Sequence, residues 1–213
     1  MAKIYVIGIS NSVIGIKGYI AALRKEHDVV NRSCGRNPFL FHIAHILQNR
    51  EVIEKCDLLI IDHYGNDANY YGGIPSFNYD ERLEDLYFLL STLNVDVINI
   101  LFPRIKVNYK EIKGKVISKS CKYGISYIDL DEAGISRRHY IDSFHINRSA
   151  SYIFGMHLSR FVSSISHAPP SGGRLDSFPA RLVLARDLFA PSEIKAFSNS
   201  MCNIEFAPLS YDV

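Results

Sequence analysis

Ser10, Asp142 and His145 are the residue types that carry out acyl chemistry together. A serine hydroxyl is a poor nucleophile until a base takes its proton. An imidazole does this near neutral pH. A carboxylate on the other ring nitrogen fixes the tautomer and stabilises the imidazolium. In Asp142-Ser143-Phe144-His145 the acid sits three residues before the imidazole, within reach of it. Spelling alone does not select the serine, because Gly-Ile-Ser starts at Gly8, Gly124 and Gly134. Position selects it: only Ser10 follows a buried strand and precedes a helix. A helix cap is the bland role for a serine here, and Ser12 fits that role better.

The elements that must hold these residues follow from the pattern of apolar runs. Ile4 to Ile7 is a short run without polar alternation, as in a parallel strand buried on both faces. Further strands are expected at 27–33, 57–62, 95–102 and 125–130. Helices are expected at about 13–25, with Ser12 as cap, and at 39–48, 79–93, 107–123 and 147–163. Five alternations of strand and helix predict an α/β three-layer sandwich, with an about five-stranded parallel sheet at its centre. Loops after successive parallel strands open on one edge, where ligands gather in open sheets. Gly8-Ile9-Ser10, Gly35 and Gly65-Asn66-Asp67 all fall there. Turn formation alone also accounts for Gly35, Asn66 and Asp67, and Asp67 reads as structural.

With these blocks in hand, the chain resembles the SGNH (GDSL-like) hydrolase family over residues 3–165. Gly8-Ile9-Ser10-Asn11-Ser12 stands for its Gly-Asp-Ser block, Gly35 for the glycine of the second, and Asp142 to His145 for Asp-x-x-His, while Tyr64-Gly65-Asn66-Asp67 approaches Gly-x-Asn-Asp, with glycine directly before the asparagine. The departure is Ile9, where the family has an aspartate that helps hold the nucleophile loop. The resemblance implies a flavodoxin-like fold and a serine esterase or O-acyltransferase acting on a small acyl ester, with acetyl on a carbohydrate within the family's range. It implies a Ser10-His145-Asp142 triad. It also implies an oxyanion hole of the Ser10 and Gly35 backbone N–H groups and the Asn66 side chain. No cofactor or metal is called for. Ile9 keeps a second reading open, a catalytically silent module on the same fold that binds a glycan or a partner.

Composition narrows the rest. The 213 residues are 47% hydrophobic and 22% charged, with a formal net charge of +2. That is ordinary for a globular domain and gives no basic face for nucleic acid. The four cysteines form no zinc spacing or close disulfide pair. His42 and His45 lie on one predicted helix with no third ligand at metal spacing, which reads as a helix face. No run is long enough to span a membrane, and the start lacks a leader pattern, so the cytoplasm is the expectation. Glycines after the first strand do not spell a dinucleotide loop, a Walker loop or a Gly-x-Ser-x-Gly elbow. The aromatic stretch Tyr64, Tyr70, Tyr71, Phe77 and Tyr79 reads as loop packing or as a platform for a sugar or acyl group. Residues 1–166 are expected to form the main domain. Residues 167–213 are expected to be a linker and a β-rich tail with strands at 181–186 and 203–207, which packs on that domain or joins a homo-oligomer.

Overall fold

The computed structural model describes residues 1–67, 78–103 and 109–164, together with the backbone of two strands at 195–198 and 203–206. Five strands make one parallel sheet: β1 (Lys3–Gly8), β2 (Asp28–Asn31), β3 (Leu58–Asp62), β4 (Asp96–Leu101) and β5 (Ser126–Asp129). Their order is β2-β1-β3-β4-β5, and every pair is parallel. This is the flavodoxin-like doubly wound arrangement. The central strands are apolar throughout because helices cover both faces. Ile4, Val6, Leu58 and Ile60 face one layer, and Tyr5, Ile7, Leu59 and Ile61 face the other.

The first layer holds α1 (Ser10–Ile14), α2 (Tyr19–Leu23) and α6 (Arg148–Ser164). Tyr19, Ile20, Leu23, Phe154, Leu158 and Val162 fill it. The second holds α3 (Phe39–Ile53), α4 (Tyr79–Ser91) and α5 (Tyr109–Lys122). Phe39, Ile43, Ile46, Leu83, Leu86 and Val116 fill that side. The chain passes from one face to the other after β2, so the switch point lies between β1 and β3. Ser10 follows the first of these strands, and Asn66 follows the second.

The sheet and the later helices lie close to the expected spans, while the first helix does not. The single helix expected at 13–25 is three pieces: α1, a 3₁₀ turn Gly15–Lys17, and α2. Ser12 is not its cap. The N-cap position of α1 is Ile9, with no side-chain cap, and Ser12 lies inside the turn and is fully buried. The break has a packing cause. A Cβ on Gly155 of α6 would stand 2.5 Å from the Tyr19 Cα, so α2 and α6 cross with backbones nearly touching. The Tyr19 N–H donates to Ser151 Oγ of α6 at 3.0 Å. Helix α3 runs five residues past its expected end, to Ile53, across a non-helical Asn49. In α6, Ile153, Met156 and Phe161 lie on the exposed side.

The tail carries an antiparallel pair, β6 (Lys195–Ser198) and β7 (Asn203–Phe206). The second is the expected strand near 203–207, and the first was not foreseen. The strand expected at 181–186, the linker at 167–173, and Tyr70, Tyr71 and Phe77 lie outside the described residues. No helix among the described residues is long and apolar enough to cross a membrane.

Candidate active site

Ser10 is the first residue of α1, two residues past the end of β1, and is partly exposed. Its neighbour Asn11 reaches across more than 130 residues of sequence. The Asn11 Nδ2 donates to the Phe144 carbonyl at 2.9 Å, and the Ile146 N–H donates to Asn11 Oδ1 at 3.1 Å. These two bonds bracket His145. The segment carrying the imidazole is therefore fastened to the residue beside the serine.

Within that segment the acid and imidazole meet directly. His145 Nδ1 lies 2.6 Å from Asp142 Oδ2. The carboxylate only accepts, so Nδ1 carries the hydrogen, and in the neutral ring that tautomer leaves the lone pair on Nε2. Asp142 Oδ1 also accepts from the Phe144 and His145 backbone N–H groups, at 2.7 and 2.8 Å. These bonds lock the acid in a tight local turn. Partial burial works against the Asp142 charge, but the His145 side chain and the two N–H donors outweigh it and hold the carboxyl below its ordinary range. Asp142 and His145 are both partly open to solvent, so the pair is accessible.

The other two candidates meet at the same rim. The Cys34 N–H donates to the Gly8 carbonyl at 2.9 Å, which lays the turn carrying Gly35 against the end of β1. Gly35 is buried, and Arg36 after it has φ 65, a left-handed backbone uncommon outside glycine that bends the turn sharply. The Asn66 Nδ2 donates to the Asn37 carbonyl at 3.3 Å, joining the post-β3 turn to the post-β2 turn. An amide nitrogen carries two hydrogens, and this bond orients the group.

Asp67 takes the structural role expected of it. Its carboxylate accepts from the Phe39 N–H at 3.1 Å and the Tyr79 hydroxyl at 2.9 Å, and lies 3.4 Å from His63 Nδ1. It thus pins the Asn66 turn to the start of α3 and to α4. Tyr64 is a packing group, while the Tyr79 hydroxyl is engaged by Asp67. Tyr64 is fully buried and donates to the Phe102 carbonyl at 2.8 Å.

His42 is fully buried, and burial pushes its pKa well below the ordinary imidazole value. Among the described residues, no group of three or more His, Cys, Asp or Glu side chains is arranged to hold a metal. Two residues escaped the reading of the sequence: Asn11 and Asp62. Each is a polar residue flanking a strand end at the ligand-bearing edge, which is the one signal that marks them.

No protein-family model and no curated protein matches this sequence. Solved structures do match in shape. An acetyl xylan esterase, AlAXEase, superposes with a TM-score of 0.61 at 13% identity, over 76% of this chain and 100% of that one. The lipase/acylhydrolase from Enterococcus faecalis gives 0.59 at 18% identity, over 76% and 95%. A GDSL-like lipase from Bacteroides thetaiotaomicron gives 0.59 at 9% identity, over 76% and 87%. Over about three quarters of its length, the chain has the SGNH (GDSL-like) hydrolase fold.

Proposed function

We propose that the protein is a serine ester hydrolase of SGNH type, acting on a small acyl ester through Ser10, His145 and Asp142. One observation carries the reading: the 2.6 Å His145–Asp142 pair sits in a segment that Asn11 fastens beside Ser10. His145 Nε2 takes the Ser10 proton as Oγ attacks the ester carbonyl. Asp142 steadies the imidazolium that forms. The oxyanion is received by the Ser10 and Gly35 backbone N–H groups and the Asn66 amide. The imidazolium then returns its proton to the departing alcohol oxygen. Water, or an acceptor alcohol in a transferase, resolves the acyl-enzyme. An acetyl group on a carbohydrate is the substrate class the reading favours, and the matched acetyl xylan esterase supports it.

The test is release of acetate from an aryl acetate, with covalent capture of a fluorophosphonate probe at Ser10. Ser10→Ala is expected to abolish both, and His145→Ala to reduce both on the order of 1000-fold or more. Activity that survives in both variants rejects the assignment. Ile9 supports a second reading, a silent glycan- or partner-binding module, because the aspartate that helps hold the family's nucleophile loop is missing from that position. That reading expects no probe capture and measurable glycan binding.

A further inference from the structure

With Ile9 in place of an acid, the nucleophile turn needs another anchor, and β3 supplies one. Asp62 ends β3 in register with Gly8 at the end of β1, and is 1% exposed. Its Oδ2 accepts from the Ser12 hydroxyl at 2.9 Å and lies 3.4 Å from the Ile9 N–H. The Tyr19 hydroxyl donates to Ser12 Oγ at 2.6 Å, extending the chain of bonds to α2. Burial, then the nearby Asp62 charge, push the Tyr19 hydroxyl pKa above its ordinary value. Gly8 leaves room for the contact, since a Cβ there would lie 2.2 Å from Ser12 Oγ. The bonds therefore reach residues 9 and 12, on either side of the serine.

We propose that Asp62 is the positioning residue of the nucleophile turn, doing from the neighbouring strand what an acid at position 9 would do from within the turn. The proposal rests on the esterase reading. Asp62 acts through Ile9 and Ser12 and not on substrate. Its loss lets the turn drift, and a displacement of about 1 Å can cost on the order of 100-fold in rate. A buried carboxylate with no such duty would change stability and leave chemistry alone.

The experiment compares wild type with Asp62→Ala, Asp62→Asn and Ser12→Ala, measuring thermal midpoint, fluorophosphonate labelling rate, and kcat and KM on an aryl acetate. Asp62→Ala should slow labelling and kcat by roughly 10- to 100-fold, with KM changed by less than about twofold. Asp62→Asn keeps an acceptor oxygen and should recover most of the rate. Ser12→Ala should fall between. A folded Asp62→Ala protein that labels at the wild-type rate overturns the proposal. If that variant does not fold, an unchanged labelling rate in folded Ser12→Ala does the same. If wild type neither labels nor hydrolyses, the esterase reading fails. Amide exchange over residues 9–13 then decides on Asp62, and unchanged protection in Asp62→Asn and Ser12→Ala removes its anchoring role.

Discussion

On the proposed mechanism, Asn66 is the single side chain whose loss should bear most directly on rate. Its amide is buried and oriented by the Asn37 carbonyl, and its turn is pinned through Asp67 to α3 and α4. A donor fixed before the reaction stabilises the charge that develops on the carbonyl oxygen without moving to meet it. Asn66→Ala is therefore expected to lower kcat by about 100- to 1000-fold with little change in KM. Steady-state kinetics on an aryl acetate reads this, and a loss confined to KM contradicts the role. At this scale the sequence was legible where a motif is local. Asp142 and His145 lie three apart, and the pair forms as read. It was illegible where partners are remote. Asn11 finds its partners 133 and 135 residues away, and Ser12 finds Asp62 50 residues away, so no window of sequence contains both ends.

The strands were readable because burial on both faces leaves an unmistakable apolar run, as at Ile4 to Ile7 and Leu58 to Ile61. The first helix was misread for a reason equally physical. Tyr19, Ile20 and Leu23 keep helical spacing and are all fully buried, yet Ile16 points outward because the backbone turns between α1 and α2. The turn is set by α6, whose Gly155 lets the Tyr19 backbone come within contact distance. Nothing near residue 15 in the sequence announces a glycine at 155. Because the contacted atoms are backbone, they have little room to yield. Gly155→Ala should cost about 1–3 kcal/mol of stability through overpacking. Chemical denaturation measures it, and an unchanged midpoint removes the close crossing as the cause of the break.

Over the whole molecule, pH acts on stability through two histidines that the fold keeps neutral. Burial, reinforced by His63, lowers the His42 pKa to about 3. Burial and then Arg32 lower that of His45 to about 4. Unfolded histidine titrates near 6.5, so between that value and 4 the unfolded chain binds protons that the folded chain refuses. Stability is therefore complete above about pH 6.5 and falls as pH drops toward the folded values. Each histidine contributes a slope of up to about 1.4 kcal/mol per pH unit. Asp142 has the opposite starting point and the same sign. Its folded pKa is below the ordinary 3.8, so its contribution is present above that value and is lost only as pH falls below it. The Asp142 window opens below 3.8, where the His42 window is still closing toward about 3, so the two overlap only at the acid end, and above about pH 4.5 the two histidines lead the response. His42→Leu should flatten the curve by about one proton and raise stability at pH 5 relative to pH 7. Denaturation midpoints at pH 7, 6 and 5 measure this slope. A His42→Leu protein as pH-sensitive as wild type would show that the acid response lies elsewhere. Esterase assays must then be kept at a pH where each variant is still folded.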